Sequence, residues 1–213
     1  MQKTLCAKHG ITWGIEMKSI NWKSASYILL GLVAVICCVN WFVRGQYFNI
    51  MFITKSISLS VTIISFISAI FCTTLWKCKF FAKWLVLVPN MNGVWQGTLQ
   101  STWVDPCTQQ KVAPIATELT IKQSLFSISC VMKTDEMRSN SINAGFNINS
   151  DNQEFQLLYT YLSIPKQHIQ ERSRIHYGTI IFDLDKNYDV SEISGNYWTG
   201  RETVGSITMR KIH

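Results

Sequence analysis

The residues of this chain best placed to do chemistry are aromatic side chains and arginines in its second half. Trp103, Tyr159, Tyr161, Tyr177, Tyr197 and Trp198 offer faces on which a flat ring can stack, and Arg172, Arg174 and Arg201 are the cations among them. A guanidinium is planar and donates two parallel hydrogen bonds, which suits phosphate better than a point charge does. Within this set the grouping expected to converge is Thr102 and Trp103, at the end of one predicted strand, with Tyr197, Thr199 and Arg201 around the last turn. Tyr159 is a further expected contact. The same positions suit ordinary packing for Trp103 and Tyr197 and a solvated turn for Arg201.

Other chemistries find less support. His9 and His213 are terminal, leaving His168 and His176, of which His176 could face Asp183 or Glu171. One histidine near an acid is commonplace, and no Gly-x-Ser-x-Gly, phosphate-cradling or His-Glu-x-x-His motif accompanies it. Acid pairs such as Asp135 with Glu136 read as turn charge. The chain is therefore read as no enzyme. Its seven cysteines include no Cys-x-x-Cys and no zinc spacing, so neither a metal, a cofactor nor a disulfide scaffold is expected.

The elements that hold these residues divide sharply by charge. Residues 1–89 carry nine Lys or Arg against the single acid Glu16, whereas residues 90–213 carry eleven bases against twelve acids. The net charge of +7 thus belongs to the first part and points to lipid, not to DNA or RNA. There, 27–43 and 56–76 are uncharged apolar runs, each long enough to span a bilayer as a helix. They predict a transmembrane hairpin over 27–76, after a leader over 1–26. Met17, which opens MKSINWKSASYILL, is an alternative start.

Lys3, Lys8, Lys18 and Lys23 precede the first run and Lys77, Lys79 and Lys83 follow the second, with only Arg44 and Lys55 between. The positive-inside rule then places both termini in the cytoplasm, and Trp22, Tyr27, Trp41, Tyr47, Trp76 and Trp84 form the interfacial belt. Ser58, Thr62, Ser65, Ala69 and Cys72 share one face of the second helix at spacings of 4, 3, 4 and 3. Small residues permit close helix approach, which makes this stripe a candidate self-association face. Residues 77–89 read as an amphipathic connector lying on the lipid surface, short enough to couple residues 90–213 to the helices.

Beyond Pro89 the pattern changes to short alternating runs rich in Thr, Ile, Val, Tyr and Phe. Eight strands are predicted near 93–102, 113–123, 125–133, 139–149, 153–163, 174–184, 192–199 and 203–211. Turn residues such as Asp105-Pro106, Ser150-Asp151-Asn152, Asp185-Lys186-Asn187 and Thr199-Gly200 separate them. Eight antiparallel strands in residues 90–213 are expected to close into an up-and-down barrel wide enough for one small ligand, with a two-sheet sandwich as the rival. Trp95 with Gly97 and Leu99, Phe126 with Ile128 and Cys130, Phe155 with Leu157, Tyr159 and Tyr161, and Ile207 with Met209 are the expected inner faces. Gly93-Val94-Trp95 with Arg210 resembles the pairing of lipocalin-like barrels, in which the Trp closes the floor and the Arg packs across its ring.

A helical hairpin followed by a barrel, opened by NGVWQGTLQSTW and closed by ISGNYWTGRETVGSITMRK, resembles the two-transmembrane, β-strand-rich effectors of cyclic-oligonucleotide-based antiphage signalling systems (CBASS). That resemblance implies a nucleotidyltransferase that makes a cyclic dinucleotide on infection, a barrel that binds it, ligand-induced homo-oligomerisation, and disruption of the bacterial inner membrane. It implies a multi-pass protein with its barrel in the cytoplasm. The aromatic faces and arginines suit the two bases and two phosphates of such a ligand. A membrane-tethered carrier of an apolar molecule is the alternative, and a constitutive assembly module a third reading.

Overall fold

The computed structural model describes residues 19–44, 50–105, 108–149, 154–171, 173–185 and 190–212. Residues 1–18 of the leader expected over 1–26, Tyr47, Cys107, Arg172, and the turn residues Pro106, Ser150-Asp151-Asn152 and Lys186-Asn187 lie outside them. Two helices come first, α1 over Trp22–Arg44 and α2 over Ile50–Thr73, both long and apolar enough to cross a membrane. They are displaced from the bare apolar runs. The first starts five residues earlier, where the Asn21 side chain accepts the backbone N–H of Ser24 at 3.4 Å as a cap. The second takes in Lys55, whose long stem can reach water, but stops before Trp76. Asn40 of α1 donates to Ser56 of α2 at 2.7 Å, with both side chains buried in the contact. The stripe of Ser58, Thr62, Ser65 and Ala69 faces away from that contact and is exposed, with Cys72 partly covered.

Eight strands complete the chain: β1 Gly93–Ser101, β2 Ile115–Gln123, β3 Ile128–Lys133, β4 Met137–Asn149, β5 Glu154–Pro165, β6 His176–Asp183, β7 Glu192–Thr199 and β8 Val204–Lys211. They form one closed barrel in chain order, every neighbour antiparallel, with β8 pairing back onto β1. Closure excludes the two-sheet sandwich. It also puts Ser101 opposite Gly205, so the end of the first strand and the start of the last meet at one rim.

The interior departs from expectation because it is full. Trp95, Leu119, Cys130, Leu157, Ile180, Phe182 and Met209 expose no surface at all, and Ile121 and Ile207 next to none. A cavity large enough for a water molecule would leave surface on its walls. The mid-barrel is thus a packed core, in which each buried aliphatic or aromatic side chain contributes about 1.5–3 kcal/mol, and it has no room for an apolar guest. Phe126 does not join this lining. It sits in the turn before β3 and is 44% exposed.

The floor of the barrel is Trp95, whose indole N–H donates to the Met91 carbonyl at 3.1 Å. The cation over its ring is Lys211, at 5.6 Å from the centroid, and not Arg210. Strand alternation explains this correction: Lys211 pairs directly with Trp95 across the β1–β8 seam, while Arg210 points outward and binds Glu192 at 3.1 Å. Burial lowers the pKa of Lys211. Gly93 enters β1 at φ 138, a backbone conformation that side chains with a Cβ rarely adopt.

The connector is also more than a tether. Residues 75–77 and 79–81 form two short 3-10 turns. Trp76, Val86, Val88 and Met91 are buried in the same core as the barrel interior. The chain entering α1 is clamped to this joint, since Asn21 N–H donates to the Leu85 carbonyl and Leu87 N–H to the Ser19 carbonyl, both at 2.9 Å. Both ends of the hairpin are therefore fixed to one end of the barrel.

Candidate functional site

The other end of the barrel is formed by the segment after β1, the β3–β4 turn, the β5–β6 loop and the β7–β8 turn. Here the backbone brings sequence-distant groups together. Thr102 reaches the start of β8, its backbone N–H and its hydroxyl both donating to the Val204 carbonyl at 2.9 Å. In the β7–β8 turn the Thr199 hydroxyl meets that of Thr203 at 2.6 Å and accepts the Arg201 backbone N–H at 3.2 Å. This turn holds Glu202 at φ 61. The Arg201 guanidinium then crosses to the β5–β6 loop, where Nη1 donates to the buried Ser173 hydroxyl at 2.6 Å.

Glu171, Arg174, Ile175, His176, Tyr177, Gly200 and Arg201 line a cleft of about 550 Å³ at this rim, within the size range of small-molecule sites. Beneath it, two tyrosines close the mouth of the barrel. A Cβ at Gly178 would fall 2.4 Å from the Tyr161 ring, and one at Gly205 would fall 2.5 Å from the Tyr197 ring. The two glycines thus leave the gaps in β6 and β8 across which these rings lie. Burial pushes the Tyr161 phenol up to about 12, with Tyr197 adding to the rise and Arg201 opposing it. Tyr197 is also raised by burial, against its hydrogen bond to the Ser101 side chain and the charge of Arg201.

The structure gathers Thr102, Tyr197, Thr199 and Arg201 at one rim. Trp103 stands just past β1, 44% exposed, with its backbone N–H donating to the Ser101 hydroxyl at 3.1 Å. Tyr159, the further expected contact, is not placed with the others at the rim. It lies one inward step deeper on β5 than Tyr161, is enclosed by the core, and has a buried hydroxyl with no partner among the described residues. Glu171, expected only as a possible neighbour of His176, shares the cleft with it, and Ser173 was not anticipated, because contacts between loops leave no spacing signal. The cross-strand pairing of Tyr161 with Gly178 is the one regularity that could have exposed the mouth of the barrel.

His176 opens β6 and is buried, its Nδ1 3.0 Å from the Arg174 carbonyl. It does not face Asp183, which closes the same strand at the opposite end of the barrel. Burial lowers its pKa, the Arg174 carbonyl partly offsets this, and Arg201 lowers it further. Unfolded, the imidazole takes its proton near 6.5; folded, it takes it at lower pH. Stability is therefore expected to fall as the pH drops from 6.5 toward the folded value, and to be unaffected by this group above 6.5. Melting temperatures measured across that window should lose this component in His176→Gln; an identical profile in the variant would show that the slope arises elsewhere.

Among the described residues no cluster of three His, Cys, Asp or Glu side chains could hold a metal. The rim instead presents Arg174, Arg201, His176 and the Tyr177 ring on one open cleft, with Glu171 as the acid in its lining; the excess of cations beside an aromatic face suits a ligand that is both anionic and flat. Residues 86–211 match the family model described as Cap15, cyclic dinucleotide receptor domain. The curated CD-NTase-associated protein 15 of Staphylococcus schleiferi is 27% identical over 196 residues, covering 92% of this chain and 95% of that relative.

Proposed function

Because this chain belongs to the Cap15 cyclic dinucleotide receptor family of CBASS effectors, we propose that it takes up its ligand at the rim cleft. The barrel is the receptor domain. The observation that carries this placement is the convergence of Arg201, Arg174 and His176 on a single cleft above Tyr161 and Tyr197. In this reading the arginines bond the phosphates, the exposed faces of Tyr177 and Trp103 stack on the bases, and Thr102 and Thr199 contribute hydroxyls. The messenger comes from a partner nucleotidyltransferase activated by infection. The site binds and does no chemistry on its ligand.

The direct test is a thermal shift of the full chain in detergent against a panel of cyclic dinucleotides, with linear nucleotides and fatty acids as controls. Saturation at about 100 times Kd adds roughly 2.7 kcal/mol of stability, enough to raise the melting temperature measurably. A phosphate beside His176 favours the imidazolium, so the shift should grow as the pH falls toward the lowered folded value of this imidazole. A shift with fatty acids alone would replace this reading with the apolar carrier.

The remaining steps join receptor to membrane. Both termini and the barrel lie in the cytoplasm, the hairpin spans the inner membrane, and bound ligand favours an oligomer whose clustered hairpins disrupt the bilayer. Ligand must bind the oligomer more tightly than the monomer, since equal affinity shifts nothing. The stripe of exposed Ser58, Thr62, Ser65 and Ala69 with the partly covered Cys72 is the face through which neighbouring hairpins pack. Thr62→Leu with Ser65→Leu is expected to abolish ligand-dependent crosslinking in membranes and cell killing, with ligand affinity retained. Unchanged crosslinking would move the helix contact elsewhere.

A further inference from the structure

We propose that the hairpin end of the barrel is a docking surface for anionic phospholipid headgroups, formed by Phe80, Trp84 and Phe126 together with Lys77, Lys79 and Lys83. It rests on the reading that the hairpin crosses the bilayer.

Three observations lead to it. The connector leaves α2 at Thr73, so Lys77 to Trp84 begin only a turn beyond an apolar span and stand at the depth where aromatic and basic side chains meet headgroups. Phe80 and Trp84 are 75% and 42% exposed. Their rings pack edge to face at 6.0 Å, and the Trp84 indole N–H donates to the Phe80 carbonyl.

The second aromatic element comes from the barrel itself. The β2–β3 turn is tied by Ser124 N–H to the Ser127 carbonyl at 2.8 Å and by their two hydroxyls at 2.7 Å. That geometry buries Leu125 and turns Phe126 out. Gln123, just before the turn, accepts the Met91 N–H at 2.7 Å and donates to the Pro89 carbonyl at 3.0 Å, which sets the turn beside the connector.

Charge selects the occupant. The three lysines are exposed, and from Met17 to Val104 the chain contains no acid at all. A second copy apposed through the same face would bring like charges together, a costly arrangement. An anionic lipid surface attracts them, by roughly five-fold in affinity for each lysine. Seated this way, the barrel holds its ligand cleft on the side away from the membrane.

The test places the full chain in nanodiscs of phosphatidylcholine, with or without phosphatidylglycerol, and records deuterium uptake. Segments 77–84 and 124–127 are expected to exchange several-fold more slowly when phosphatidylglycerol is present. Lys77→Gln with Lys79→Gln and Lys83→Gln should erase that difference, and Phe126→Ser should release 124–127 alone. Equal uptake in both lipids, with α1 and α2 protected, would overturn the docking surface and leave the hairpin reading intact. Protection that depends on protein concentration instead of lipid would overturn it in favour of a second copy. Free exchange in α1 and α2 would overturn the membrane-spanning reading and this surface with it.

Discussion

Arg201→Ala is expected to weaken cyclic dinucleotide binding by roughly 30-fold or more, because truncating one partner of a hydrogen-bonded charge pair costs at least about 2 kcal/mol. The unliganded barrel should stay folded: Arg201 is exposed, and its charged bond to the buried Ser173 hydroxyl is worth about 1.5–3 kcal/mol. Arg201→Lys keeps the charge and loses the planar fork, so it should fall between wild type and alanine. Trp103→Ala removes a stacking face worth about 1–3 kcal/mol per base and should give a loss of comparable order. Calorimetric titration on the full chain reads affinity directly, and co-expression with the messenger-making enzyme reads killing. If both Arg201→Ala and Trp103→Ala bind and kill like wild type, the ligand does not sit at this rim.

Trp76→Ala should have the largest effect on the body of the protein. Trp76 is just past α2, yet it is buried in the barrel core with Val86, Val88 and Met91. Removing a buried tryptophan costs about 3–5 kcal/mol. Part of this is offset, because the indole Nε1 is buried with no hydrogen-bond partner among the described residues and such a group carries a penalty of about 1–3 kcal/mol. Trp76→Phe separates the two effects: it keeps most of the packing, discards the orphan N–H, and should lie within about 1 kcal/mol of wild type. Urea unfolding of both variants in detergent measures this. The same pair tests coupling, since the joint transmits barrel contacts to the hairpin only while it is rigid. Trp76→Ala with full stability and full killing would mean that the joint is dispensable.

The buried connector changes how coupling experiments should be designed. A flexible insertion after Val88 enters a buried segment and would damage the floor of the barrel as well as lengthen the chain. The hairpin is also held at its other end through Ser19 and Asn21, so loosening one junction leaves the second in place. Side-chain substitutions at the joint are the cleaner probe.

Much of the architecture was legible because its causes are local. An uncharged run of helical length must avoid water, whatever its neighbours. A two-residue alternation with turn residues at its breaks must make strands, and the eight observed strands lie within a few residues of the predicted ones. Closure in chain order also placed Ser101 beside Gly205, from which the bonding of Thr102 to Val204, next to the β7–β8 turn, follows. What one dimension leaves open is which side chain reaches which partner. Arg210 and Lys211 are adjacent, and only the register against β1 decides that Lys211 covers Trp95. Tyr159 and Tyr161 share an inward face, but depth along β5 separates a packed core residue from one at the mouth. Whether the barrel is hollow depends on the summed volume of side chains from all eight strands. The Arg201–Ser173 bond depends on two loops folding over one rim. The sequence by itself determined the hairpin, the barrel and the division of charge between them, because those arise from hydrophobic period and length. Only the tertiary structure decided the cleft, the full interior and the rigid joint, because these depend on register, depth and packing volume between segments far apart in the chain.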